Sequence, residues 1–350
     1  MATAYLVIGL IILTFGADVL VKGASRLALS FGVPSLVIGL TVVAYGTSTP
    51  ELAVSTRAAF TGESEIALGN VVGSNIANVW LILGLSALVS PLLVNNQIIK
   101  LELPIMIALS ALTYGLSYDG VLSRFDGVVF LALILIYTIA TVRRGRKEVA
   151  AQGGEKITEH SKGKEVVRAL VGLVLLVWGA DLFVDGAVEI ARSFGVSELV
   201  IGLTIVAVGT SMPEIMTSIV ASYKGERDIA VGNVVGSNIF NILGVLGLSA
   251  VVKPIAVPEV AISFDIPVMI LAAIMCAPFF VGATLTRWRA LLFLGSFAFY
   301  VIYLILKSSG NGLMSTIEDF ILHFYAPLIV ITVTTIVLRS FLNRNPTKAI

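Results

Sequence analysis

The sequence predicts an all-α polytopic membrane protein, built as two five-helix repeats of inverted topology with one further transmembrane helix at the C-terminal end. Three observations carry that prediction. Of 350 residues, 57% are apolar and only 13% charged, outside the range of soluble domains. The segment Phe31 to Glu51, FGVPSLVIGLTVVAYGTSTPE, returns 163 residues later as Phe194 to Glu214, FGVSELVIGLTIVAVGTSMPE, with 16 of 21 positions identical. A second block, GNVVGSN, occurs at Gly69 to Asn75 and again at Gly232 to Asn238.

Apolar stretches long enough to cross a bilayer fall in order at roughly 3 to 22, 36 to 59, 66 to 90, 101 to 118 and 125 to 142. The second set lies at roughly 167 to 184, 199 to 221, 229 to 252, 264 to 282 and 288 to 306, and an eleventh near 320 to 339. The first stretch has no basic leader or small-residue cleavage site and carries Asp18 and Lys22 near its end, so it reads as a retained helix rather than a signal peptide. Residues 1–142 are therefore expected to form the first repeat and 167–307 the second, with 143–166 as a cytoplasmic linker and 308–350 as the extra helix and a cytoplasmic tail. The single cysteine, Cys276, lies inside an apolar span, which excludes an internal disulfide.

Orientation follows from the linker. Arg143, Arg144, Arg146 and Lys147 come directly after the fifth span, and the positive-inside bias puts them in the cytoplasm. Alternating outward from there leaves most of the 23 Lys and Arg on the cytoplasmic side, the N-terminus outside and the C-terminus inside. Five spans per repeat is an odd number. The second repeat must then enter the membrane from the opposite side, giving a pseudo-two-fold axis in the membrane plane that lets one central site be opened alternately to either face.

The chemistry-bearing residues sit in the repeated blocks. Thr47, Ser48 and Glu51 are spaced by three and four, which brings their oxygens to one helix face, and Thr210, Ser211 and Glu214 repeat them. Pro50 and Pro213 interrupt the backbone ladder there, and Gly46 and Gly209 permit unwinding, so that carbonyls come free at membrane depth. The next spans carry oxygen stripes, Asn70, Ser74 and Asn78 in one and Asn233, Ser237 and Asn241 in the other. Two carboxylates with hydroxyl, amide and carbonyl oxygens suit a hard cation. Calcium takes roughly 6 to 8 oxygens in flexible geometry, magnesium gives up its waters reluctantly, and soft metals want the thiolates or imidazoles these stripes lack.

Plainer readings stand beside these. The Gly69–Gly73 and Gly232–Gly236 spacings suit helix packing, Asn70 and Asn233 suit interhelical hydrogen bonding, and Thr41 and Thr204 suit bonds to their own helix backbone. Asp18 and Asp181, near the ends of their spans, suit a local salt bridge or interfacial solvation. Glu51 and Glu214 have no such reading. A carboxylate at the bilayer centre costs at least ~2.5 kcal/mol on insertion scales, and the basic residues of the spans, Arg57 among them, lie near the span ends.

The doubled pattern G-T-S-x-P-E then G-N-V-V-G-S-N-I-x-N resembles the two alpha-repeats of the sodium/calcium exchanger family, within the calcium/cation antiporters. The resemblance covers spans one to ten and leaves the chain beyond about Lys307 unaccounted for. It implies that Thr47, Ser48, Glu51 and the carbonyl of Ala44, with Ser74 and Asn78, hold the transported ions together with Thr210, Ser211, Glu214, the carbonyl of Ala207, Ser237 and Asn241. It further implies calcium and sodium as competing substrates, the bilayer as the only surroundings required, and no cofactor. Several relatives, the potassium-dependent ones among them, have aspartate at the position of Asn241; an asparagine in both halves lowers the negative charge and argues against potassium. The Gly-Asn-Ala-x-Glu motif typical of proton-coupled relatives is missing, which favours sodium over protons as counter-ion; the alternative is a proton-coupled or broader divalent-cation antiporter on the same scaffold.

Other classes fit poorly. An intramembrane hydrolase needs a nucleophile with an oriented base, yet the two histidines, His160 and His323, lie in the linker and near the membrane edge. No phosphate-binding G-x-x-x-x-G-K-[ST] loop is present to couple ATP. A channel using the same carboxylates as a filter is disfavoured by inverted repeats around a closed ligand cage. Nothing points to nucleic acid or to an obligatory protein partner.

Overall fold

The computed structural model describes residues 1–151, 162–194, 207–280 and 284–308. Its helices are α1 (Ala2–Phe31), α2 (Ser35–Thr47), α3 (Thr49–Thr61), α4 (Ser64–Val89), α5 (Ile98–Leu116), α6 (Arg124–Ala151) and α7 (Lys162–Ser193). They continue with α8 (Ala207–Thr210), α9 (Met212–Tyr223), α10 (Arg227–Val252), α11 (Ala261–Ala277) and α12 (Arg287–Ser308). Seven of these are long and apolar enough to cross a membrane, eight if α2 and α3 count as one bent span. The proposed eleventh span lies outside the described residues.

The bend between α2 and α3 is 47° and falls at Ser48, whose φ of −83° and ψ of 14° leave the helical region. Pro50 explains its position. With no N–H to donate and a ring that crowds the preceding turn, it can only occupy the first turn of a new helix, and α3 begins one residue before it. Pro213 starts α9 in the same way, after a break at Ser211. Both restarted helices end on a glycine turn. Gly62 (φ 92°) and Gly225 (φ 79°) take left-handed conformations closed to most L side chains, and the next amides, of Glu63 and Glu226, return to Ala58 O at 2.8 Å and Ala221 O at 2.9 Å.

The central helices are α4 and α10, which bury 78% and 83% of their most apolar windows, against 28–33% for α1, α6, α7 and α12. The outer four present apolar side chains such as Ile11, Phe15, Leu135, Ile136, Val174 and Leu292 on their outward faces, as lipid-facing helices must. α1 and α7 pack antiparallel along glycines spaced by seven, Gly9, Gly16 and Gly23 against Gly172, Gly179 and Gly186. A Cβ on Gly172 would lie 2.6 Å from Leu20 N, so only hydrogen allows this approach.

Two short ribbons record the symmetry. β1 (Leu92–Leu93) pairs with β4 (Thr284–Leu285), and β2 (Val121–Leu122) with β3 (Ile255–Ala256), all antiparallel. Adding 163 to Leu92 gives Ile255, and subtracting it from Leu285 gives Leu122; those two residues are themselves partners. Each ribbon is thus the image of the other with the repeats exchanged. Since α5 separates β1 from β2, the equivalent strands β1 and β3 lie at opposite ends of the bundle.

Some helices run well past the apolar spans of the sequence. α1 continues to Phe31, burying Gly23, Ala24, Leu27 and Ala28 beyond the expected end at 22. The linker is helical at both margins: α6 runs on to Ala151 through four basic residues, held where Gly145 meets Pro34 and Val37, and α7 begins at Lys162. Hydropathy marks the part of a helix that touches lipid, whereas the backbone ladder continues for as long as a neighbour or water accepts it.

Candidate ion-binding site

The breaks at Ser48 and Ser211 face each other across α4 and α10, and hydrogen bonds cross between the repeats. Ser48 Oγ donates to Glu214 Oε1 at 2.8 Å, and Ser211 Oγ donates to Glu51 Oε1 at 3.2 Å. Thr47 stands beside Glu214 and Thr210 beside Glu51. Each carboxylate is held by hydroxyls of the other repeat, so the two acids flank one space. Both are 1% exposed, and among the described residues neither has an ion-pair partner.

Asparagines support the acids from behind. Asn70 Nδ2 donates to the carbonyl of Glu51 at 3.3 Å and to Ser55 Oγ at 2.9 Å; Asn233 Nδ2 does the same to Glu214 O at 3.4 Å and Ser218 Oγ at 2.9 Å. These amides tie α4 to α3 and α10 to α9, the bonding role weighed for them above. Asn233 Oδ1 also accepts from Thr47 Oγ1 at 3.1 Å. Ala44 O receives Ser48 N at 3.1 Å, Thr47 Oγ1 at 3.3 Å and Ser237 Oγ at 3.4 Å. Ser74 Oγ lies 3.4 Å from Ser211 Oγ. Ala207 opens the single turn α8 that ends at Thr210.

At Asn78 and Asn241 both central helices loosen into π-helical turns, Asn78–Ile82 and Asn241–Leu246. Such turns shift the side-chain register and occur often at functional positions. Asn78 Nδ2 donates to Asn238 Oδ1 at 3.0 Å, and Asn241 Nδ2 to Asn75 Oδ1 at 3.1 Å. Among the described residues, their own Oδ1 atoms, with Glu51 Oε2 and Glu214 Oε2, are buried without a hydrogen-bond partner. These four oxygens, two pairs of repeat mates, are buried acceptors that lack a donor. A buried acceptor left unpaired costs about 1–3 kcal/mol, more when charged, unless a cation or water meets it.

Of the residues singled out in the sequence, Glu51, Glu214, Thr47, Ser48, Ser211, Ser74, Ser237, Asn78 and Asn241 are buried at this junction, and Thr210 is half-buried there. Gly232 and Gly236 pack against α2, where Cβ atoms would meet Leu36 O at 3.1 Å and Leu40 O at 2.6 Å, while Gly69 is exposed. Thr41 bonds its own helix at Val37 O, 2.6 Å away; Thr204 lies outside the described residues. Asp18 pairs with Lys22 at 2.7 Å and also with Lys224 from the end of α9, whereas Asp181 is exposed.

Sequence reasoning passed over Asn75, Asn238, Ser55 and Ser218. The two asparagines lie inside the repeated GNVVGSN block, so that exact repetition was the available signal. It also passed over Glu102, buried in α5, which accepts from Tyr137 Oη and Gln97 Nε2, both at 2.8 Å. With a donor on each oxygen, Glu102 is satisfied inside the protein, unlike Glu51 and Glu214.

Comparison with known proteins gives concordant results. The profile of the family described as sodium/calcium exchanger protein matches residues 1–143 and 164–306. The inner membrane protein YrbG of Escherichia coli is 42% identical over 286 residues, covering 79% of this chain and 88% of that protein. The sodium/calcium exchanger MaX1 of Methanosarcina acetivorans is 34% identical, covering 86% and 96%. The solved structure of the sodium-calcium exchanger NCX_Mj, soaked with neither sodium nor calcium, superposes with a TM-score of 0.77 at 34% identity over 86% of this chain and 98% of that one.

Proposed function

Because the chain belongs to the sodium/calcium exchanger family, we propose that this integral membrane protein exchanges sodium for calcium by alternating access at the junction of its two repeats. The carrying observation is the quartet of buried, unpartnered oxygens on Glu51, Glu214, Asn78 and Asn241. Two carboxylates balance the charge of one calcium ion, and the amide oxygens add ligands without adding charge. Thr47, Ser48, Ser74, Thr210, Ser211 and Ser237, with the carbonyls of Ala44 and Ala207, complete an all-oxygen site able to hold calcium or sodium in turn. Sharing the carboxylates makes the two ions compete.

With the site empty, ionising both acids in a medium of low dielectric is penalised, and among the described residues neither has an ion-pair partner. That penalty disfavours rearrangement of the unloaded protein and so enforces exchange over leak. The arrangement proposed is ten spans in two inverted repeats, 1–142 and 167–307, joined by the cytoplasmic linker 143–166, with the N-terminus outside. The reciprocal ribbons and the antiparallel α1 and α7 support it.

The test is calcium-45 uptake into proteoliposomes containing the purified chain. Uptake driven by an outward sodium gradient and indifferent to an imposed pH gradient is the expected result. Uptake that follows the pH gradient and ignores sodium would replace this reading with proton-coupled exchange, and steady conductance without counter-transport would replace it with a channel.

A further inference from the structure

The ion site has a second layer that fixes which atoms face the ion. An asparagine ligand serves a cation only through its oxygen; the amide turned about its axis presents N–H groups, whose positive ends repel the ion. At Asn78 and Asn241 the choice is made from outside the site, by Asn238 and Asn75, each three residues before the ligand of its own repeat and bonded to the ligand of the other.

The hydrogen-bond directions leave one arrangement. Asn75 Nδ2 donates to the main-chain carbonyl of Asn238 at 3.3 Å and to Met269 Sδ at 3.6 Å. Its Oδ1 is therefore the atom left to receive Asn241 Nδ2. Asn238 Nδ2 donates to Met106 Sδ at 3.3 Å, which leaves its Oδ1 for Asn78 Nδ2. Met106 and Met269 are themselves 163 residues apart, so the bonds to sulfur and the bonds between asparagine side chains come in repeat-related pairs, while the bond to the carbonyl of Asn238 has no such mate among the described residues. Reversing Asn238 would set N–H against N–H at Asn78 and forfeit the sulfur acceptor. All four asparagines are buried, so reversing one amide would leave its groups facing unfavourable partners inside the protein.

We infer that Asn75 and Asn238 are positioning residues that hold the side-chain oxygens of Asn241 and Asn78 toward the transported ion, and that they build the site for neutral amides at those two positions. A carboxylate at position 78 or 241 would meet the acceptor oxygen of Asn238 or Asn75 in place of a donor. The inference rests on the reading of the junction as a calcium site.

A double-mutant cycle tests it, read by calcium-45 equilibrium binding to the purified protein, with thermal unfolding measured in parallel. Asn238→Leu is expected to weaken calcium binding about 10–100-fold, the usual loss when the partner orienting a metal ligand is removed. In an Asn78→Ala background, where no amide remains to orient, the same change is expected to cost less than about twofold. Asn75→Leu with Asn241→Ala should behave alike. Equal losses in both backgrounds, or a lower unfolding temperature with unchanged calcium binding, would reduce these residues to packing and overturn the inference. Should the leucine variants not fold, Asn238→Asp retains the accepting oxygen and is expected to stay within about threefold of the unmodified protein; a loss of tenfold or more would be equally fatal. Absence of calcium binding by the unmodified chain would instead refute the calcium reading, and this inference with it.

Discussion

Replacing either central acid by its amide, Glu51→Gln or Glu214→Gln, isolates charge from shape. Glutamine keeps the length of the side chain and an oxygen able to accept the serine hydroxyl from the opposite repeat, so the hydrogen bonds at 2.8 and 3.2 Å survive. What is lost is one negative charge and, at the second terminal atom, an unpartnered oxygen. Two unit charges about 4 Å apart in an effective dielectric of about 20 attract by about 4 kcal/mol. Calcium carries two charges and approaches a carboxylate more closely, so about 4 kcal/mol is a lower bound, or roughly a thousandfold in affinity at about 1.4 kcal/mol per decade. Calcium-45 flux and sodium flux measured in the same vesicles, beside the unmodified protein, should show exchange abolished in both variants. The two losses should be comparable, because the repeat symmetry gives the acids matching surroundings. Retained exchange in both variants would remove the site assignment, and full activity in one alone would refute the equivalence of the repeats.

Three further outcomes follow from the packing. Gly172→Ala places a methyl group 2.6 Å from Leu20 N at the α1–α7 crossing, and overpacking of that kind costs about 1–3 kcal/mol, so the unfolding temperature in detergent should fall by several degrees. An unchanged temperature would mean that the two helices do not meet as closely as described. Tyr137→Phe removes a donor from Glu102 and leaves a buried carboxylate oxygen bare, so stability should drop by about 1–3 kcal/mol while half-saturating calcium stays the same; a shift in calcium dependence would bring Glu102 into the ion path. Phe60 and Tyr223 are repeat equivalents, 75% and 80% exposed, and Cys276 is buried, so one introduced thiol reports the sidedness of each repeat. A membrane-impermeant maleimide should label Phe60→Cys from the outside and Tyr223→Cys only from the inside, and labelling of both from one face would rule out inverted topology.

Much of this protein was legible in one dimension. A helix that crosses lipid must be apolar over its whole lipid-facing length, so composition announces the spans. A carboxylate at that depth is costly enough to stand out, which is why Glu51 and Glu214 drew attention in the sequence, and the structure buries both. The internal repeat was visible as well, and its offset of 163 residues pairs Glu51 with Glu214, Asn78 with Asn241 and the strands of one ribbon with those of the other. Proline and glycine marked the interruption of the helices, though not that the break would centre on Ser48 and Ser211.

Tertiary structure decided what sequence spacing cannot express: which atom of a polar side chain is occupied and which is free. Ser48 serves Glu214 and Ser211 serves Glu51, partners 166 and 160 residues apart. Glu102 looks like Glu51 in a sequence, yet two donors satisfy it, while Glu51 keeps an oxygen bare. Asn75 and Asn78 lie on one helix, but Asn75 Oδ1 accepts from Asn241 of the opposite repeat, while Asn78 keeps its oxygen bare. Hydrogen bonding is directional and pairwise, so its outcome depends on where four helices from two halves of the chain place their donors, and that placement exists only after they pack.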